Sequence, residues 1–172
     1  VNPALAAPRN EGVHVTRRIF AALALALAIT MVGSAALASN VHFKGKSGPT
    51  FRDNGLTLTA TGALTGLGNG DVTVTINADG QPIATCTNPS GANQPPGQNP
   101  AKATFSGSVV IDASLIKNGN VAFSVTTVAP KTPIPGAPDC PNSRWTETIV
   151  DVVFSSPSLT VSQGGAVVLS YP

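Results

Sequence analysis

Apolar and polar residues alternate with a period of two along much of the chain beyond residue 55. Leu56-Thr57-Leu58-Thr59-Ala60-Thr61 places Leu and Ala on one side and Thr on the other. Asp71-Val72-Thr73-Val74-Thr75-Ile76 repeats the pattern, with Val72, Val74 and Ile76 inward. Successive side chains of an extended strand point to opposite faces, so this alternation predicts half-buried β-strands. Phe105, Val109 and Ile111 mark a third strand, and Val121, Phe123 and Val125 a fourth. Residues 146–154 predict a fifth, with Val150, Val152 and Phe154 on the inner face. Leu159 with Val161, and Val167 with Leu169, supply two more. Residues 41–43 and 83–86 are weaker candidates.

Turn signals separate these runs. Asn54-Gly55, Asn69-Gly70 and Asn118-Gly119 are expected to supply positive φ, which Gly and Asn adopt at little steric cost. Asn77-Ala78-Asp79-Gly80 predicts a hairpin turn joining residues 71–76 to 82–86. No helix of three turns is expected after residue 38. Seven to nine short strands with turns every 8–12 residues predict an all-β fold, an antiparallel immunoglobulin-like β-sandwich. Its Thr- and Ser-rich strand faces suit sheets that are wet on one side.

Two segments interrupt the rhythm. Residues 87–101 contain Pro89, Pro95, Pro96 and Pro100, and residues 129–143 contain Pro130, Pro133, Pro135, Pro138 and Pro141. Proline cannot donate to a ladder, so neither segment is expected to form an interior strand. Irregular loops of this length are uncommon in small domains and often carry function.

Composition adds export and removes several function classes. Residues 15–38 begin with Arg17-Arg18, continue through an apolar core from Ile19 to Gly33, and end on Ala36-Leu37-Ala38. Basic, apolar and small-residue regions in that order predict a secretory signal peptide over residues 1–38. The apolar core is short for a membrane span, which takes roughly 20 residues. Val15 is the expected start, with residues 1–14 upstream of it. Thr16-Arg17-Arg18-Ile19-Phe20 also matches part of the twin-arginine signature. The very apolar core favours the general secretory route. Residues 39–172 are then expected to form one domain, secreted and free of the membrane, and long enough for one core.

The chain has ten basic and eight acidic residues. Arg9, Arg17, Arg18 and Glu11 lie upstream of residue 38, leaving seven of each sign in the domain. A balanced domain offers no field to draw in nucleic acid or an anionic membrane. Lys44-Gly45-Lys46 is read as a solvated edge.

Two cysteines in an exported chain predict a disulfide between Cys86 and Cys140. It would join the base of the first Pro-rich loop to the tail of the second. Preorganised loops lower the ordering cost of binding a partner. Asn93, Gln94, Pro95 and Pro96 of the first loop, Pro133 and Pro135 of the second, and Trp145 just beyond it are therefore the candidate binding residues. Trp145, the only Trp, could serve as a platform or as a lid over the disulfide.

A catalytic set is not expected. His42 is the only imidazole after residue 38, which leaves Ser-His-Asp and Cys-His arrangements without a base. Glu147 and Asp151 share a parity on one strand, about 13 Å apart at 3.3 Å per residue. Paired carboxylates of glycosidases stand roughly 5–9.5 Å apart. Asp53-Asn54-Gly55 and Asn69-Gly70-Asp71 are read as turns rather than calcium loops. Gly62, Gly66, Gly68 and Gly70 precede no helix, so no nucleotide cofactor is expected.

Leu64-Thr65-Gly66-Leu67-Gly68-Asn69-Gly70-Asp71-Val72, with Ala84-Thr85-Cys86-Thr87-Asn88-Pro89 and Trp145-Thr146-Glu147-Thr148, resembles a group of small secreted β-proteins of actinobacteria and related soil bacteria. The resemblance spans most of residues 39–172. It implies export and, since the group has no known activity, transfers no site residues. The expected function is a non-enzymatic extracellular or cell-surface binding protein whose partner is a protein or a glycan. A carbohydrate-binding module, a small-ligand carrier and a subunit of an extracellular fibre are the alternatives.

Overall fold

Alternating apolar and hydroxyl-bearing positions carry most of the domain into extended structure. In the computed structural model, which describes residues 40–45, 47–95, 100–132 and 140–172, nine strands follow in order. They are β1 (His42–Phe43), β2 (Thr50–Asp53), β3 (Leu58–Thr65), β4 (Val72–Thr87), β5 (Asn93–Gln94), β6 (Ala103–Ile111), β7 (Val121–Thr126), β8 (Thr146–Gln163) and β9 (Ala166–Tyr171). The export segment read at residues 1–38 and Lys46 of the basic edge lie outside the described residues.

The strands form two antiparallel sheets. In the four-stranded sheet β3 is central, with β7 on one edge and β1 and β2 sharing the other. In the five-stranded sheet β4 is central, and β8 follows one edge from Val72 to Thr87. β6 and β5 share the opposite edge, β6 against residues 72–80 and β5 against Cys86 and Thr87. β9 pairs with β8 on the outside.

One core lies between the sheets. Leu58, Ala60 and Leu64 of β3 and Phe123 and Val125 of β7 cluster with Val72, Val74 and Ile76 of β4 and Leu159 and Val161 of β8. Each buried branched side chain contributes about 1.5–3 kcal/mol relative to exposure. A second cluster of Ala84, Phe105, Ile149 and Val152 extends the core along β4 and β8. The fold is therefore all-β and sandwich-like.

Polar groups close the gaps that apolar packing leaves. Thr127, just past β7, is buried. Its N–H donates to the Leu58 carbonyl at 2.9 Å, and its Oγ1 accepts the Leu58 N–H at 3.0 Å. The next residue steps to the other sheet, where the Val128 N–H donates to the Ser106 carbonyl of β6. At that crossing the Thr126 carbonyl lies so close to Gly107 that any Cβ there would collide with it. Gln163, buried at the end of β8, accepts the Gly68 N–H and donates to the Gly68 and Gly70 carbonyls. A further inter-sheet bond runs from the Val152 N–H to the Gly55 carbonyl.

Several sequence expectations need correction. Asn77-Ala78-Asp79-Gly80 is not a hairpin turn but the middle of β4. Ala78 and Gly80 continue the buried parity, and a Cβ on Gly80 would press on Val152 and the Phe105 ring. Glycine serves close packing here, not positive φ. The expected runs at 146–154 and 159–161 likewise merge into the single strand β8. Ser156 and Pro157 of β8 stand opposite Ala78 alone, a bulge in which Ser156 takes φ 48°. A bulge leaves a residue unpaired and so tolerates the proline. Val150 is exposed rather than inward, because it is the extra residue of another bulge. The irregularity between Val161 and Ser162 similarly leaves Val167 of β9 exposed. Asn118 and Gly119 adopt positive φ as expected, and so does Gly55, but Asn69-Gly70 does not.

The double role of Thr127 sets a test. Thr127→Val keeps the shape but leaves the Leu58 N–H without its side-chain acceptor. Stability in urea unfolding is expected to fall by about 1–3 kcal/mol, and Thr127→Ser should recover most of it.

Candidate functional site

One end of the five-stranded sheet is built by three short register matches. Asn93 and Gln94 of β5 pair with Thr87 and Cys86 of β4, and these pair in turn with Thr146 and Glu147 of β8. Local bonds hold the turn between β4 and β5. Asn88 Oδ1 accepts the Ala92 N–H and the Ser90 hydroxyl, and the Asn88 N–H donates to the Ala92 carbonyl. The Thr87 hydroxyl donates to Asn93 Oδ1 at 2.6 Å. Part of the first Pro-rich segment is thus folded back onto the ladder as an edge pair.

The disulfide anchors this end. Cys86 is fully buried and bonded to Cys140, with Cα atoms 5.6 Å apart across a sequence separation of 54. From Cys140 the chain turns at Asn142. Asn142 Oδ1 accepts the Arg144 N–H, and its carbonyl accepts the Trp145 N–H at 3.0 Å. That turn delivers Trp145 to the start of β8, half-buried. Cys86, Cys140, Asn93, Gln94 and Trp145 therefore lie at the same end of the sheet. Pro95 follows β5 and is exposed. Pro96, Pro133 and Pro135 lie outside the described residues.

The bulge at Val150 changes the reading of β8. A simple alternation sets Glu147 and Asp151 on one outer face. In the structure Asp151 stands opposite Ile83, whereas Ile149 stands opposite Ala84 and Glu147 opposite Cys86. Antiparallel partners share a face, so Glu147 sits on the buried side with Cys86, Ala84 and Ile149. Glu147 and Asp151 are thus on different faces. One carboxylate oxygen of Glu147, Oε1, is buried without a hydrogen-bond partner among the described residues. Burial raises its carboxyl pKa, since desolvation disfavours the charged form. With Thr132, Trp145 and Thr146, Glu147 lines a shallow recess of about 330 Å³. Only a bulge, invisible to period-two counting, turns this side chain inward.

A second recess of about 400 Å³ lies at the other bulge of β8, lined by Asp79, Lys102, Ala103, Thr104, Ser155 and Ser156. Asp79 Oδ1 accepts the Thr104 hydroxyl there at 2.9 Å. The sequence signal was the run Ser155-Ser156-Pro157-Ser158, which breaks the alternation.

The remaining polar groups of interest are engaged in backbone support. His42 Nδ1 lies 2.8 Å from the Asn40 carbonyl. Asp53 Oδ1 accepts the Gly55 N–H, and Asp71 Oδ1 accepts the Ala113 N–H. Tyr171 packs edge-on against Phe43 and tilted against Phe51. Among the described residues no three His, Cys, Asp or Glu side chains are grouped to hold a metal ion. Among the same residues no helix is long and apolar enough to cross a membrane.

Two measurements follow from this geometry. Opening the ring with Cys86→Ser and Cys140→Ser together is expected to lower stability by about 4 kcal/mol on loop-entropy grounds, read from denaturant midpoints. For Glu147 the folded pKa lies above the unfolded value of about 4.3. The folded state then binds the proton more tightly, and stability falls as pH rises from the unfolded pKa through the folded one. Glu147→Gln removes that loss. It should raise the melting temperature at pH 7, with the gain shrinking to nothing below pH 4.

Compared with known proteins, the chain matches no family model, no curated protein and no solved structure.

Proposed function

We propose that the chain is an exported, non-enzymatic binding domain, an immunoglobulin-like β-sandwich that engages an extracellular partner through its disulfide-pinned end. The observation that carries this reading is the Cys86–Cys140 bond. It ties the strand that opens the first Pro-rich segment to the close of the second, beside half-buried Trp145. Segments tethered in advance lose less entropy on binding, so more of the contact energy survives as affinity. Aromatic residues beside such tethers are frequent anchors of protein interfaces.

Export is supported by the basic, apolar and small-residue order of residues 15–38 and by a disulfide, which persists in oxidising compartments. A non-enzymatic role is supported by the use of Asp53, Asp71 and Asp112 as acceptors for backbone N–H groups. A protein partner is favoured over an extended glycan, because Tyr171, the other candidate sugar platform, is engaged by Phe43 and Phe51. Trp145 is left as a single platform at this end.

The test is retention on cell walls and captured partners from the native culture. Residues 90–99 and 131–138 are each replaced by short Gly/Ser linkers, with both cysteines kept. Retention is expected to drop at least tenfold in either replacement. Retention equal to that of the unaltered protein would overturn the proposal.

A further inference from the structure

The chain contains three Asn-Gly pairs, Asn54-Gly55, Asn69-Gly70 and Asn118-Gly119. Such a pair is chemically labile, because glycine has no Cβ to shield its amide nitrogen from the carboxamide carbon of the asparagine before it. The fold restrains two of the three. The Gly55 N–H donates to Asp53 Oδ1 at 2.8 Å, and the Asn54 carboxamide donates to Thr59 Oγ1 at 2.9 Å. Nucleophile and leaving group are both held there. Around Asn118-Gly119, Lys117 and Asn120 exchange both backbone bonds at 2.9 Å, and Asn120 Nδ2 donates to the Asn118 carbonyl at 2.7 Å. That turn fixes Asn118 at φ 52° and would have to open before a ring could close.

Asn69-Gly70 has neither restraint. Both residues are exposed, and among the described residues neither the Asn69 carboxamide nor the Gly70 N–H has a hydrogen-bond partner. Gly70 also has no conformational task. Its φ is outside the left-handed region, and an added Cβ would meet only Gln163 Cγ, at an ordinary 3.8 Å. What the glycine does supply is an open amide. The pair also sits inside a structural clasp. Buried Gln163 accepts the Gly68 N–H at 2.8 Å and donates to the Gly68 carbonyl at 3.1 Å and the Gly70 carbonyl at 2.6 Å. Its bonds therefore straddle Asn69.

We propose that Asn69 is a site of spontaneous isoaspartate formation, and that its conversion undoes the Gln163 clasp. The Gly70 amide nitrogen loses its proton to water and attacks Asn69 Cγ. A C–N bond forms, ammonia leaves, and a five-membered succinimide results. Water then cleaves one of the two ring C–N bonds. Cleavage at the α-carbonyl gives isoaspartate, and cleavage at Cγ gives aspartate. One water enters for each ammonia lost, with no oxidation or reduction. In isoaspartate the main chain runs through Cβ and Cγ of residue 69, which inserts a methylene between Gly68 and Gly70. The two backbone groups then no longer reach Gln163 together, and a buried amide loses its partners at the end of β8. This timer on the folded state lies at the opposite end of β4 from Cys86.

The test is incubation of the oxidised domain at mildly alkaline pH, followed by peptide mapping with fragmentation that separates aspartate from isoaspartate. Asn69 is expected to gain one mass unit at least tenfold faster than Asn54 or Asn118. In urea, where the fold no longer sorts the pairs, the three should convert at comparable rates. Gly70→Ala keeps the fold and should slow conversion at Asn69 at least tenfold. The isolated isoaspartyl form is expected to unfold at least tenfold faster than fresh protein. Asn69→Asp, which carries the new charge without the extra methylene, should unfold close to the fresh rate. Equal conversion of the three pairs in the folded protein, or selectivity that persists in urea, would overturn the proposal. So would an isoaspartyl form that unfolds no faster than fresh protein.

Discussion

The pairing of β4 with β8 is the constraint on which the structure depends. β4 runs sixteen residues and β8 eighteen, and they stay antiparallel partners from Val72–Gln163 to Thr87–Thr146. At 3.3 Å per residue β4 spans roughly 50 Å, far beyond the usual strand of five or six residues. Every other part of the five-stranded sheet attaches to this ladder: β6 and β5 on one side, β9 on the other. Both apolar clusters lie along it. The disulfide begins at its last turn of register, where Cys86 faces Glu147.

A ladder this long cannot stay flat, because strands twist against one another. β8 absorbs the mismatch at two places where its register shifts against β4. Each shift has a chemical consequence. At Ser156 and Pro157 it opens a polar recess around Asp79. At Val150 it exchanges the two faces of the strand end, exposing a valine and turning a glutamate toward the disulfide. The same irregularity that relieves the sheet creates the carboxylate with no donor. At that residue the relief has a cost, because an ionised Glu147 with a buried, unpartnered oxygen weakens the folded state.

The seams between the sheets follow a different logic. Where strands leave one sheet for the other, backbone groups lose ladder partners, and a buried orphan is costly. Thr127 answers for Leu58, and Gln163 answers for Gly68 and Gly70. Gly107 contributes by absence, letting the Thr126 carbonyl pass. Neither buried polar side chain stands out in the sequence, because a Thr in a Thr-rich chain and a Gln at a strand end carry no pattern of their own.

By itself the sequence determined the all-β class, most strand faces, the Asn118-Gly119 turn and the pairing of the two cysteines. These are local properties: side-chain period, turn chemistry and the parity of thiols are written in neighbouring residues or in composition. The tertiary structure alone decided that Asn77 to Gly80 continues a strand. Turn-forming residues were present, but Phe105 and Val152 packing on Gly80, together with the burial of Ala78 in the main core, favours extension. It also decided the inward face of Glu147. Parity counted along one strand assumes an unbroken ladder, and a bulge exists only relative to the partner strand. The candidate site depends on that register, so its chemistry became visible only when β4 and β8 were laid side by side.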